Sequence, residues 1–246
     1  MLDKIFSIKK QRNHVVLRLM CTKMSFKFKP LTGKITENMK LDNIFKDNKK
    51  CSDAIIKRIR KKKKCRVVFY VFEIAKWKTD TLYRLMEQDD RFEPLVVLGF
   101  TSGRSKTYTQ FEKKAKIDAQ IKYFNEKCIK VALGYDLKEG KNLSLEKFNP
   151  DIIFYQQHVG NDKVNSSEKT KHYALGCYVP YNVPNYGILE YDYNIFCAHL
   201  YRFYTLNSGF KDAYNHLNVA INNVVAVGHT ALDYFYLNKN SFNPPP

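Results

Sequence analysis

"RVVFYVFEIAKWKTDTLYRLMEQDDRFEPLVVLGF", residues 66–100, holds two apolar runs on either side of one amphipathic stretch. The runs 66–72 and 94–100 show no polar alternation, which is the pattern of strands buried on both faces. Between them Leu82, Leu85 and Met86 recur at helical spacing behind a Thr79 or Asp80 cap. A buried strand, a helix and a second buried strand in succession read as one βαβ unit, whose strands must lie parallel.

The same alternation continues downstream. Residues 106–128 predict a longer helix that turns Phe111, Ala115, Ile121 and Phe124 to the core, followed by strands at 129–135 and 151–155. A short run at 177–181, an aromatic-rich stretch at 195–206, a helix at 210–221 and a last strand at 223–228 complete the series. The expected fold class is therefore α/β, a Rossmann-like parallel sheet with helices on both faces, spanning 65–236, with a tail or interdomain linker at 237–246.

Residues 1–64 differ in character. The net charge of the 246-residue chain is +18, of which +15 falls in this segment, so the α/β body is close to neutral. Alternation at Ser25–Lys29 predicts a small hairpin ending at Pro30. "SDAIIKRIRKKKKC", from Ser52, predicts a short basic helix with Ile55, Ile56 and Ile59 on one face. This extension reads either as an attachment to an anionic membrane face or another polyanion, or as a solvated helix packed on the domain.

Several function classes lose support. The six cysteines form no C-x-x-C pair, so neither a zinc site nor a disulfide framework is expected. G-x-G-x-x-G, Walker A, G-x-S-x-G and H-E-x-x-H patterns are missing, and no cofactor or metal is called for. Nucleic acid is disfavoured as a partner, because Phe6, Phe26, Phe28 and Phe45 are the only aromatics among the basic residues and form no RNP-like stretch. No apolar run is long enough to span a bilayer and no secretory signal is evident, so the expected location is cytoplasmic, with a peripheral place on the inner face of the membrane as an option.

In parallel sheets ligands gather beyond the carboxyl ends of the strands. After the first strand stand Glu73, Lys76, Trp77 and Lys78, a set suited to a phosphate- or sugar-bearing ligand; the alternative, that Trp77 caps the core and the lysines are solvated, is the favoured one. After strand 151–155 come Gln156, Gln157 and His158. His158 is the candidate general base, since imidazole titrates near neutrality; a surface histidine is the alternative. His229, after the last strand, makes a similar case.

The stretches 66–98, "NPDIIFYQQ" (149–157), "CYVPYNV" (177–183) and "VAVGHTALD" (225–233) resemble the N-terminal half of the CDP-glycerol glycerophosphotransferase family. The likeness covers about residues 64–236, and "IFSIKK" with "SFKFK" is similar to a short module on bacterial polysaccharide-synthesis enzymes. The resemblance implies one half of a GT-B enzyme of envelope polysaccharide or teichoic-acid-like polymer synthesis. Its N-terminal domain would receive a polyol, sugar or lipid-linked glycan acceptor, and a C-terminal domain would bind the CDP-activated donor. Glycerol phosphate would pass to an acceptor hydroxyl with release of CMP. Two departures stand out. The sequence stops where the donor half would follow, so the expectation is inactivity alone. In place of the family's Trp-His-Gly-Thr-Pro segment, "GCYVPYNVPN" carries Tyr181 and no histidine, which leaves His158 to substitute. The alternative is a non-enzymatic binding module tethered by the basic extension.

Overall fold

The computed structural model describes residues 6–11, 14–19, 22–27, 32–101, 108–158, 163–181, 191–209, 211–212 and 223–237. The chain packs as two compact units, Met1–Lys40 and Leu41–Pro246. Expectations for 102–107, 159–162, 182–185, 213–221 and 238–246 lie outside the described residues.

The first unit carries three strands, β1 (Phe6–Gln11), β2 (His14–Leu19) and β3 (Thr22–Lys27). They form an antiparallel meander in which Gln11 faces His14 and Leu19 faces Thr22. The expected hairpin thus has one more strand than the alternation at Ser25–Lys29 reveals.

Helix α1 (Thr32–Ile59) is far longer than the short helix expected from Ser52. Ser52 does not cap it but sits buried within it, on the stripe formed by Leu41, Asn48 and Ile55. Ile44, Phe45 and Ile59 pack partly buried beside that stripe. Asn48 Nδ2 donates to the carbonyl of Leu200 at 2.8 Å, so a polar residue holds an inward position at no unsatisfied cost. The basic end is anchored through Asp151, whose side chain is 1% exposed. Lys62 Nζ lies 2.7 Å from its Oδ1, and the backbone N–H of Arg66 donates to its Oδ2 at 3.0 Å. By packing, residues 41–64 belong to the α/β unit, and the isoleucine face is spent on that unit rather than presented to solvent.

The second unit is built on a seven-stranded sheet of β4 (Cys65–Val71), β5 (Phe92–Leu98), β6 (Val131–Leu133), β9 (Ile152–Tyr155), β10 (Leu175–Tyr178), β11 (Arg202–Thr205) and β12 (Val224–Ala226). A separate two-stranded pair, β7 (Tyr135–Asp136) and β8 (Lys141–Asn142), stands between β6 and β9 in the chain. The spatial order is β12-β11-β10-β9-β4-β5-β6, with every neighbouring pair parallel. Counted in chain order within the sheet, this is the 3-2-1-4-5-6 arrangement of the Rossmann fold with one strand added, and the order reverses between β4 and β9.

Period-two alternation along β4 divides the core. Val68, Tyr70 and Phe72 face a cluster with Ile153, Tyr155, Tyr178, Phe196 and Phe203. Val67, Phe69 and Val71 face the opposite cluster with Trp77, Tyr83, Leu98 and Phe124. Helices α2 (Asp80–Glu87) and α3 (Gln110–Glu126) cover the second face, while α5 (Tyr191–Ala198) adds Phe196 and Cys197 to the first and α4 (Ser167–Thr170) meets it through hydrogen bonds from Ser167 to the Phe196 carbonyl and between Thr170 and the Tyr155 hydroxyl. A last short helix, α6 (Asp233–Leu237), follows β12.

Helix α3 begins at Thr109, whose hydroxyl accepts from Glu112 N while the Glu112 carboxylate accepts from Thr109 N, a complete capping box. Its inward residues are Ile117, Gln120 and Phe124; Phe111 is 82% exposed and Ala115 is exposed, contrary to expectation. Phe111 lies in the first turn, before the helix meets the sheet. Gly99 ends β5 under Tyr70: a Cβ there would stand 2.6 Å from the tyrosine ring, so the crossing requires glycine.

Candidate functional site

The two polar strand ends singled out by the sequence meet at the reversal between β4 and β9. Gln156, buried, is wholly engaged in joining them. Its Oε1 accepts from the backbone N–H groups of Phe72 (2.9 Å) and Glu73 (3.2 Å), and its Nε2 donates to the Glu73 carbonyl at 2.8 Å. It is a positioning residue rather than a ligand contact. A 3-10 turn at Ile74–Lys76 then brings Lys76 back over the crevice. Lys76 Nζ donates to Gln157 Oε1 at 2.5 Å, lies 3.3 Å from the Glu73 carboxylate and stands 5.2 Å from the centroid of the Tyr181 ring. Four of the expected residues, Glu73, Lys76, Gln157 and Tyr181, therefore form one cluster. The space between Lys76, Trp77, Lys78 and Gln156 is small, about 10 Å³.

The remaining candidates separate. Trp77 is 6% exposed and packs edge-on against Phe69 and Phe124 at 5.6 and 5.2 Å, with Nε1 donating to Asp80 Oδ1 at 3.0 Å. It is a core cap. Lys78 is exposed beside it. Asp80 opens α2, so the first turn of that helix already holds a carboxylate and does not offer the anion cradle of a dinucleotide enzyme.

His158 lies on the face of Tyr178 and Phe196, with Nδ1 3.4 Å from the Tyr178 hydroxyl. Burial pushes its pKa down to about 4 and raises that of Tyr178. At neutral pH the pair is thus an uncharged imidazole and an uncharged phenol. The imidazole can accept a proton without first losing one, but its low pKa makes it a weak base.

His229 stands apart, on a cavity of about 330 Å³ walled by Leu82, Met86, Phe154 and Tyr204 together with Thr230 and Asp233. Leu85, on the outer face of α2, reaches its rim and is 60% exposed.

A further cavity of about 320 Å³ lies on the other side of β4, at the ends of β4 and β5, bounded by Phe72, Glu73, Phe100, Tyr108, Lys116 and Gln120. Asn142 fixes its floor: its Oδ1 accepts from Phe100 N and its Nδ2 donates to Phe100 O, each at 2.7 Å. Nothing in the strand-end reading pointed to Gln120. The available signal was a polar side chain at an inward helical position, three residues after Ile117 and four before Phe124.

Among the described residues no three His, Cys, Asp or Glu side chains converge as metal ligands, and no helix is long and apolar enough to cross a membrane. Among the described residues, Cys51, Cys65, Cys128, Cys177 and Cys197 form no disulfide. No protein-family model matches the chain, and no curated protein matches it either.

Proposed function

We propose that residues 65–236 serve as the acceptor-side domain of a glycerophosphotransferase-like GT-B enzyme, one that moves glycerol phosphate from a CDP-activated donor to a hydroxyl of a polyol, sugar or lipid-linked glycan. The carrying observation is that Lys76, Gln157, Glu73 and Tyr181 cluster at the reversal point of a Rossmann-ordered sheet, where such folds take their ligands. In this reading Lys76 meets an acceptor phosphate, Gln157 and Glu73 hold hydroxyls, and neutral His158 receives the proton of the attacking hydroxyl. The donor domain is a separate body of protein, wherever it is encoded, and the enzyme works in the cytoplasm on the inner face of the membrane in bacterial envelope polymer synthesis.

Titrating the ¹⁵N-labelled chain with sn-glycerol 3-phosphate tests this directly. Resonances of Lys76, Gln157 and His158 should move with a dissociation constant of roughly 0.1–10 mM, and Lys76→Ala should abolish the shifts. A spectrum unmoved by the ligand sinks the proposal.

A second reading, a binding module held near an anionic surface, is favoured by the exposed Lys57, Arg60, Lys61, Lys63 and Lys64 at the end of α1. Because the isoleucines of that helix are packed inward, attachment would be electrostatic and lost at moderate salt. Flotation with phosphatidylserine vesicles at low and moderate salt decides it.

A further inference from the structure

From the cavity beside α2 we infer a second ligand site, independent of the acceptor reading: a pocket for the unbranched aliphatic chain of a lipid, with no anionic group on the part it holds. The sheet supplies one wall. Phe154 of β9, Val179 after β10, Tyr204 of β11 and Val227 after β12 bring one apolar residue from each of four neighbouring parallel strands to the lining. Helix α2 adds Leu82, Leu85 and Met86, which helical spacing groups on a single face. Gly228, at φ +96°, turns the chain after β12, and His229, Thr230 and Asp233 return to the lining.

This lining has the chemistry of hydrocarbon. The Tyr204 hydroxyl is hydrogen-bonded to the Cys177 thiol, which leaves its ring, stacked on Phe154 at 6.4 Å and 23°, as apolar surface. Met86, unbranched and adaptable, lets the wall fit a flexible chain. At about 330 Å³ the cavity falls within the range of small-molecule sites. Leu85 and Val227 line it and are exposed, so its apolar wall reaches solvent and a chain can enter. Large apolar side chains left in water around a concavity mark a binding surface. Among the described lining residues there is no Lys or Arg, and the one carboxylate is that of Asp233. An anionic group drawn into the cavity would meet that carboxylate with no cation to offset it.

The full chain labelled with ¹³C in its methionine methyl groups provides the test, because the Met86 resonance reports from the lining and Met86→Leu assigns it. Titration with 1-hexanol, 1-octanol and 1-decanol should move that resonance, with affinity rising about fourfold for each added methylene until the chain fills the cavity. Decanoate should bind at least about tenfold more weakly than 1-decanol, and Asp233→Asn should narrow the gap. Val227→Lys and Leu85→Lys, both at exposed positions on the rim, should each weaken 1-decanol binding about tenfold while leaving the thermal midpoint unchanged. Lys76→Ala, which breaks the acceptor cluster, should leave 1-decanol binding as it is.

The inference is overturned if 1-decanol at its solubility limit leaves Met86 unmoved, if affinity does not rise with chain length, or if both rim variants bind as the parent does. Indole binding more tightly than 1-decanol would overturn it in favour of a planar ligand. A dimer in sedimentation velocity that Val227→Lys dissociates would overturn it in favour of a second copy seated on the same rim.

Discussion

On the β9 side of strand β4, the Gln156 carboxamide satisfies three backbone groups and Lys76 is held by Gln157 and Glu73, leaving a space of about 10 Å³. On the β5 side, the Gln120 carbonyl has no hydrogen-bond partner among the described residues and the space is about 320 Å³. The same strand end thus carries one glutamine that closes a gap and another that borders an open one. A buried amide stabilises only when its partners are supplied. Where the chain supplies them the amide ties two strand ends together, and where it does not the amide adds nothing to hold them.

The largest effect is expected from breaking the joint. Gln156→Leu orphans the N–H groups of Phe72 and Glu73 and the Glu73 carbonyl, and should cost about 3–4 kcal/mol, at roughly 1 kcal/mol or more for each lost partner. Urea denaturation measures it; a loss below about 1 kcal/mol would mean that water replaces the amide and that the joint is not what fixes β4 to β9.

Next comes Gly99→Ala, which places a methyl against the Tyr70 ring on the β5 side. Overpacking of this kind costs about 1–3 kcal/mol. A crystal structure of the variant should show the Tyr70 ring displaced, and a neutral effect would show that the strand ends on the open side yield easily.

His158 gives a pH-dependent effect of about the same size or smaller. Its pKa is lowered from 6.5 to about 4 by burial, so below pH 6.5 the unfolded chain takes up a proton that the folded chain refuses. Stability is unaffected above that pH and declines as the pH falls from 6.5 towards 4. The lowered pKa of buried His199 acts in the same direction. His158→Gln should flatten the decline by about 1–2 kcal/mol, discounted because the ring is only partly shielded from solvent. Stability curves at pH 7 and pH 4.5 check it, and an unchanged slope would place the ring in water.

The smallest effect is the counterpart of the first. Gln120→Met removes an acceptor that has no donor among the described residues, and should leave stability unchanged or raise it by up to about 1 kcal/mol. A loss of the size seen for Gln156→Leu would erase the contrast between the two sides.

Much of the α/β body was legible because its strands are long in apolar residues and its order follows a rule. Runs 66–72 and 151–155 became β4 and β9 to within one residue, and 94–100 became β5 two residues earlier. Strand β11 was hidden because "IFCAHLYRFYTL" merges the end of α5 with the strand in one aromatic stretch. Helix α1 was hidden for the opposite reason: Asn48 and Ser52 interrupt its apolar stripe, and only the Leu200 carbonyl, far along the chain, makes Asn48 an inward residue.

The site was legible to the same degree. Strand-end logic located Glu73, Lys76 and Gln157, since position along a strand is local information. It gave Gln156 and Trp77 no certain role, because whether a polar or aromatic tip is free depends on partners such as Phe72 N and Asp80 that only folding brings near.

The place of β4 in the sheet also carries a kinetic meaning. It is the first strand of the sheet in the chain and has neighbours on both sides, β5 only one helix away and β9 beyond β6, β7 and β8. Pairing with β5 closes a short loop, whereas pairing with β9 closes a long one, so the sheet is seeded at 65–98 and β9 docks afterwards. Gln156 would then make its bonds after the rate-limiting step, and the damage of Gln156→Leu should fall on the unfolding limb of a chevron plot with the refolding limb nearly unmoved.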